Sequence, residues 1–483
     1  MNRSKSAAPP LSKAHAAAGH RADPGAKALA RQVGVGGAVA LGLGSMVGTG
    51  VFVSLGLSAG LVGPWVLAAV LLAGGLALCN GFSSAQLAAA HPVAGGTYEY
   101  AHRVGWPAAG FVAGTLFLLA KSASAATAAL GLAAYVLKRF GQTAGDSLAV
   151  AGGLAVLAMI TVVVLEGIRR ANLANIVIVA VTFLGLSAFV GWGATQMQLF
   201  HLDPGRWAAA ELSATGRPHP AVGEAASAGG TSQTPAALLD LVPWSGLPGA
   251  AALVFVAFTG YGRIATLGEE VIEPRRTIPR AIIVTVSICV VTYAAVAAVA
   301  IGAVGSAAFA AASEAGAPLE TIAEDAEWPA AVGWSVTIAA VAAMAGVILN
   351  LLLGLSRVAL AMGRRGHLPR TFARVHERGQ TPAPAVLLAA GIVAALVAVG
   401  SIRTAWSFSA VTVLLYYAIT NAAALKLPAA DRLYPRAFSW VGLAGCLGLA
   451  AFVEPAYWVA AGITVATALL WHRLQPRIGA DGS

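Results

Sequence analysis

Four glycines, Gly42, Gly44, Gly48 and Gly50, crowd the stretch from Gly42 to Phe52, inside an otherwise apolar run. In a bilayer each backbone N–H and C=O needs a partner, so a helix breaks at such a cluster only where the freed groups line a protected cavity. A break there does chemistry with the main chain. The N–H groups opening the second half-helix, reinforced by its dipole, suit a carboxylate, and the carbonyls closing the first half suit an ammonium. Two other readings compete. Gly44 and Gly48 have the spacing of a helix-packing face, and glycine-rich runs also cradle phosphates, although no Lys-Ser or Lys-Thr follows this one.

A second interrupted run, Phe255 to Ile264, contains Phe258, Thr259, Gly260, Tyr261, Gly262 and Arg263, about five apolar runs later. Paired broken helices at corresponding places in two halves are the sequence pointer to an inverted-repeat transporter with its site near the bilayer midplane.

Lys121 lies near the middle of the third apolar run, roughly 20 Å from its start at about 1.5 Å per residue, and Ser122, Ser124 and Thr127 follow it. That is too deep to snorkel, and an intramembrane charge is a functional candidate by default. Lys121 is thus a candidate for exchanging a proton during transport, the bland alternative being a lysine held by carbonyls or a buried carboxylate. Arg263 either faces the cavity, favouring neutral or acidic substrates, or pairs with Glu269 or Glu270 at the end of its span. Glu270 and its neighbours, with Arg275, Arg276 and Arg280, form either an inner-gate charge network or a topological anchor. Asn350 and Ser356 in the eighth run are candidates for lining an ion path or for bridging helices.

The elements that must position these residues follow from composition. Of the 483 residues, 58% are hydrophobic and 10% charged, against about 25% charged in soluble domains, and the mean hydropathy is +0.77. Runs able to cross about 30 Å of hydrocarbon fall near 35–60, 64–90, 106–136, 148–167, 174–197, 248–268, 281–304, 331–360, 384–400, 404–427, 436–453 and 455–472. This predicts an all-α polytopic membrane protein with about twelve transmembrane helices. Lys and Arg concentrate in alternate connections, from Arg3, Lys5, Arg31 and Arg103 to Arg364, Arg365 and Arg473. The positive-inside rule therefore places both termini in the cytoplasm of a cell membrane. The same alternation argues against nucleic acid as the reason for the formal charge of +10.

Residues 1–33 read as a cytoplasmic tail and 473–483 as another, bracketing a single domain. The stretch 305–329, with five carboxylates and no Lys or Arg, fits an outside position. The segment 199–245 reads as a flexible external loop with a short helix near 233–242. Cys79, Cys289 and Cys446 each sit within an apolar run and read as core fillers.

Four further stretches complete a pattern: His91 to Tyr100 after the second run, Glu269 to Ala281 after the sixth, Ser356-Arg357 with Ala361 to Pro369, and Thr381-Pro382. With Gly48 to Phe52, their order and spacing resemble the amino acid–polyamine–organocation permeases across residues 34–472. The resemblance implies a LeuT-like 5+5 inverted repeat, repeat one about 35–197 and repeat two about 248–427, plus two C-terminal helices at about 436–472. By position it implies that the N–H groups of Thr49 and Gly50 hold the substrate carboxylate and the carbonyls of Met46 and Phe258 its ammonium. Ser45, Gly48, Thr259, Gly260, Tyr261 and Gly262 would complete the floor and gate. Some proton-coupled members carry a lysine in the fifth span, where this chain has none between Asn175 and Phe183.

The expected function is secondary active amino acid transport by alternating access, with a proton as coupling ion and neither cofactor nor metal. An exchanger uses the same site equally well, and a transport-inactive sensor is the alternative from another class. A membrane-embedded enzyme would need catalytic groups or metal ligands clustered in the spans, and all nine histidines fall in tails, loops or span ends.

Overall fold

A computed structural model describes residues 33–91, 93, 95–142, 146–166, 171–205, 244, 246–265, 271–375 and 382–474. Among them the chain is helical throughout, and its one β-bridge joins Val33 to Val271. The expected tails, the short helix near 233–242, and Glu269 and Glu270 lie outside the described residues.

The first run divides into α1 (Val35–Met46), a widened π-helical turn at Gly50–Ser54 and α2 (Leu55–Val62). Gly63, at a φ of 55° that side chains disfavour, and Pro64 then turn the chain into α3 (Val66–Ala90). After the short α4 (Thr97–Arg103) come α5 (Pro107–Arg139), α6 (Asp146–Glu166) and α7 (Ala171–Gln196). The sixth run holds α8 (Leu247–Phe258), a 3₁₀ turn at Thr259–Tyr261 and α9 (Gly262–Ala265). Then follow α10 (Pro274–Val304), α11 (Ser306–Glu314), α12 (Pro318–Asp325), α13 (Ala330–Arg364), α14 (Ala383–Val397), α15 (Ile402–Leu425), α16 (Arg436–Ala451) and α17 (Pro455–Leu474).

Each expected span falls on helix, and eight helical stretches are long and apolar enough to cross a membrane. One of them, Val35–Ala90, is 56 residues long. At about 1.5 Å per residue it far exceeds one hydrocarbon thickness, so the chain is a multi-pass membrane protein. The differences are local. The third span runs on to Arg139, the seventh starts earlier, at Pro274, and 305–329 contains two short helices, α11 and α12.

The centre of the bundle is α5, buried from Gly110 to Tyr135 apart from a few positions and packed against α13 and α15. Alanines and glycines line much of this seam, which lets the backbones approach. Large apolar side chains face outward instead on α6, α7, α16 and α17, among them Met159, Val177, Leu184, Trp440 and Ile463. These helices form the lipid-facing rim.

At the proximal face, where α1 begins, Ile272 N–H donates to Val33 O at 3.0 Å, tying the entry of α1 to the segment before α10. Arg365 grips Glu99 of α4 through Nε and an Nη at 2.7 and 2.5 Å, a bidentate pair of the strong kind. Beside it the His102, His367 and His472 rings lie 5.4 to 5.5 Å apart between successive neighbours, and Tyr98 Oη lies 2.7 Å from His367 Nδ1.

Burial, followed by the charges of His102, His472 and Arg365, pushes the His367 imidazole down from 6.5 to about 4. A histidine with a lower value folded than unfolded binds fewer protons when folded, so its contribution to stability is complete above pH 6.5 and is lost as the pH falls towards 4. Purified protein is therefore expected to lose several degrees of melting temperature between pH 7 and pH 4.5, and His367→Gln to flatten that slope. A slope unchanged by the substitution would show that other groups set it.

At the distal face Tyr135 of α5 donates to Phe52 O at 3.1 Å and accepts from Leu319 N at 3.3 Å, joining α12 to the widened turn of the first span. Glu320 is fully buried, accepts from Thr337 Oγ1 and lies 3.5 Å from Arg139, whose guanidinium covers Trp334.

Candidate functional site

The first span stops being α-helical at Met46. Val47 is extended (φ −82°, ψ 97°), and helix resumes only through the π-helical turn. The second interruption is milder than its glycines suggest, a tightened 3₁₀ turn between α8 and α9 with no extended residue described. The two interruptions touch. A Cβ on Gly260 would run into Ser45 O and the Met46 side chain, and one on Gly50 into Ala257, so both positions require the absence of a side chain. The packing-face reading also holds, since Gly44 lies against the Asn175 side chain and Gly48 against Val347.

Side chains from four other spans reach the main chain around the two interruptions. Tyr293 of α10 donates its hydroxyl to Met46 O at 2.8 Å and lies 3.2 Å from Ala257 O, so one phenol caps the carbonyl ends of both first half-helices. Tyr417 of α15 donates to Thr259 O at 3.2 Å. Asn175 Nδ2 of α7 donates to Ala40 O at 2.7 Å, and Asn350 Nδ2 of α13 lies 3.1 Å from Asn175 Oδ1 and 3.4 Å from Gly44 O. Neutral amides thus reach two carbonyls of α1 on the proximal side of the first break.

Lys121 is 5% exposed. Its Nζ donates to Thr259 Oγ1 at 2.6 Å and lies 3.4 Å from Thr259 O, while Thr259 Oγ1 donates on to Val256 O at 2.7 Å. The lysine therefore sits on the second interruption itself, and its described partners are both neutral oxygens of Thr259, one of them a main-chain carbonyl as the bland alternative expects.

Two adjoining cavities meet at Ser45, Lys121, Thr259 and Leu351. The inner one, about 20 Å³, is lined also by Met46, Thr49, Gly50, Val256, Ala257 and Trp406. The second, about 40 Å³, leads to the proximal side past Gly260, Gly262, Arg263, Asn350 and Arg357. Volumes of this size hold a water or two, so the site is closed down around the interruptions. Trp406 of α15 donates Nε1 to Leu253 O of α8 at 3.0 Å, while Leu253 and Ser407 line a larger distal cavity of about 260 Å³. Trp406 is the partition between the two.

Of the residues expected from sequence, Ser45, Met46, Thr49, Gly50, Thr259, Gly260, Gly262, Lys121, Arg263 and Asn350 line these inner cavities. Gly48, Phe258 and Tyr261 do not. Phe258 packs on Tyr293 with ring centres 5.0 Å apart, and Tyr261 on Tyr417 at 5.3 Å. Sequence reading passed over Tyr293, Trp406 and Asn175. Tyr293 carries a usable signal, a phenol in mid-span whose hydroxyl must find a buried acceptor.

The protein family described as amino acid permease matches residues 34–472. An uncharacterized transporter of Mycobacterium tuberculosis is 39% identical over 446 residues, covering 90% of this chain and 89% of its own length. The branched-chain amino acid permease of Bacillus subtilis is 24% identical over 75% of this chain and 73% of its own. The methylthioribose transporter of the same organism is 26% identical over 77% and 75%.

Proposed function

Since the chain belongs to the amino acid permease family, we propose that it is a secondary active transporter that moves an amino acid across the cell membrane by alternating access, coupled to protons. The observation that carries this reading is the contact of two interrupted spans, Gly260 against Ser45 and Gly50 against Ala257, beside a closed cavity. Half-helix ends in a water-poor site grip the charged groups that all α-amino acids share. The substrate carboxylate sits on the Thr49 and Gly50 N–H groups, and the ammonium on the carbonyls of Met46 and Phe258; at Met46, Tyr293 already occupies one lone pair and leaves another.

The twelve helical spans are read as a 5+5 inverted repeat with two further helices, the proximal face and both termini cytoplasmic. That orientation makes the 40 Å³ cavity the inner path and Trp406 the outer partition. Protons rather than sodium fit the amides of Asn175 and Asn350 at the α1 carbonyls and the buried Lys121.

The test is uptake of labelled amino acids into proteoliposomes. Accumulation driven by an inward proton gradient and unchanged when choline replaces sodium is expected. Saturable binding without flux would reject transport, and flux only against internal amino acid would reject proton symport in favour of exchange.

A further inference from the structure

Resting on this transport reading, we propose that the transported amino acid carries a second anionic group, in the simplest case a side-chain carboxylate, and that Lys121 is the residue that recognises it. Three observations converge. Lys121 sits in the middle of the most buried helix of the bundle and is 5% exposed, yet among the described residues it meets no carboxylate, only the hydroxyl and carbonyl of Thr259. Its side chain lines both inner cavities, in common with Ser45, Thr259 and Leu351. Neither cavity is lined by any Asp or Glu, whereas Arg263 and Arg357 join Lys121 along the path to the proximal face.

A charge at this depth is unfavourable unless a counter-charge accompanies it. Among the described residues none is supplied to Lys121, and a substrate can supply one. Thr49, Gly50 and Lys121 line the same closed cavity, so once the site opens to admit a substrate, an α-carboxylate on the Thr49 and Gly50 N–H groups leaves a side-chain carboxylate to meet Nζ. Cationic side chains meet like charge there, and neutral ones leave the lysine as it was. Discrimination then comes from the unpaired group in the site, the arrangement that gives large selectivity ratios.

The experiment uses the full chain in liposomes, with labelled glutamate as tracer and aspartate, glutamate, asparagine, glutamine, leucine and lysine as competitors. Glutamate and aspartate are expected to compete better than their amides by about tenfold or more, and lysine least. Lys121→Gln is expected to bring the glutamate-to-glutamine ratio to about unity, while Lys121→Arg keeps it above unity, since both cations pair with carboxylates. Acidic amino acids that compete no better than their amides in the wild type would overturn the proposal, and that measurement stands even if the variants fail to fold. A ratio unmoved in a folded Lys121→Gln protein would also overturn it. Leucine or lysine uptake that acidic amino acids do not inhibit leaves transport intact and removes only this inference, whereas no uptake of any amino acid removes both.

Discussion

Gly260→Ala is expected to abolish amino acid uptake, by about a hundredfold or more, while leaving a folded protein in the membrane. The added methyl group has nowhere to go, because its neighbours are the Ser45 carbonyl group and Cγ of the Met46 side chain. Backbone cannot rotate aside as a flexible side chain can, so the two interruptions must separate. Overpacking typically costs about 1–3 kcal/mol, which a bundle of this size tolerates, but the displacement falls on the atoms proposed to hold the substrate. Misplacement of about 1 Å is sufficient to spoil a site of fixed hydrogen-bonding groups. The measurement is initial uptake rate per molecule of protein, with size-exclusion profile and melting temperature as controls. Gly354→Ala, where an added Cβ meets nothing within 4 Å, is the comparison within the same cavity lining and is expected to fold as wild type does. Wild-type uptake by Gly260→Ala would show that the contact between the interruptions is not needed for transport.

Tyr293→Phe is the second large effect. The hydroxyl donates its one proton to Met46 O at 2.8 Å and lies 3.2 Å from Ala257 O. Its loss takes the hydroxyl donor from the Met46 carbonyl, at about 1–3 kcal/mol for a buried group left unsatisfied. The ring remains to pack against Phe258, so no large cavity forms. The expected result is a fall in substrate affinity of about tenfold or more together with a lower melting temperature. Both follow because the same hydroxyl joins the two half-helices and orients the carbonyl proposed for the ammonium. An unchanged affinity with a lowered melting temperature would assign Tyr293 to stability alone.

The parts of this site legible in sequence were those with a local signature. Glycines clustered inside apolar runs marked both interruptions, and a lysine in mid-span marked itself. What the sequence left open was how far each interruption departs from helix. The pair Gly260 and Gly262 resembles the cluster around Gly48, yet the chain needs only a 3₁₀ turn at Thr259–Tyr261, whereas Val47 is extended. Packing decides between the two, and packing is not local. The same limit hid the partners. Lys121 and Thr259 are 138 residues apart, Tyr293 and Met46 247, and Asn350 and Gly44 306.

The short helices α4, α11 and α12 were also unforeseen. Apolar periodicity over a span-length window, the signal that found the membrane helices, has too few residues to act on in α12, whose eight residues include three carboxylates. Asn175 illustrates a different difficulty. An amide near the start of an apolar run has many uses, and only its placement against Gly44 and Ala40 O gives it one.

The central claim is that the main-chain ends at two interrupted helices grip the amino and carboxyl groups of an amino acid. A substrate-bound structure determined at a resolution that separates the two ends of the ligand tests it most directly. The account predicts the α-carboxylate within hydrogen-bonding distance of Thr49 N and Gly50 N, the ammonium beside Met46 O, and the ligand between Lys121 and Trp406. Density instead in the 260 Å³ distal cavity beside Arg403 and Phe452, with the inner site unchanged, would contradict it.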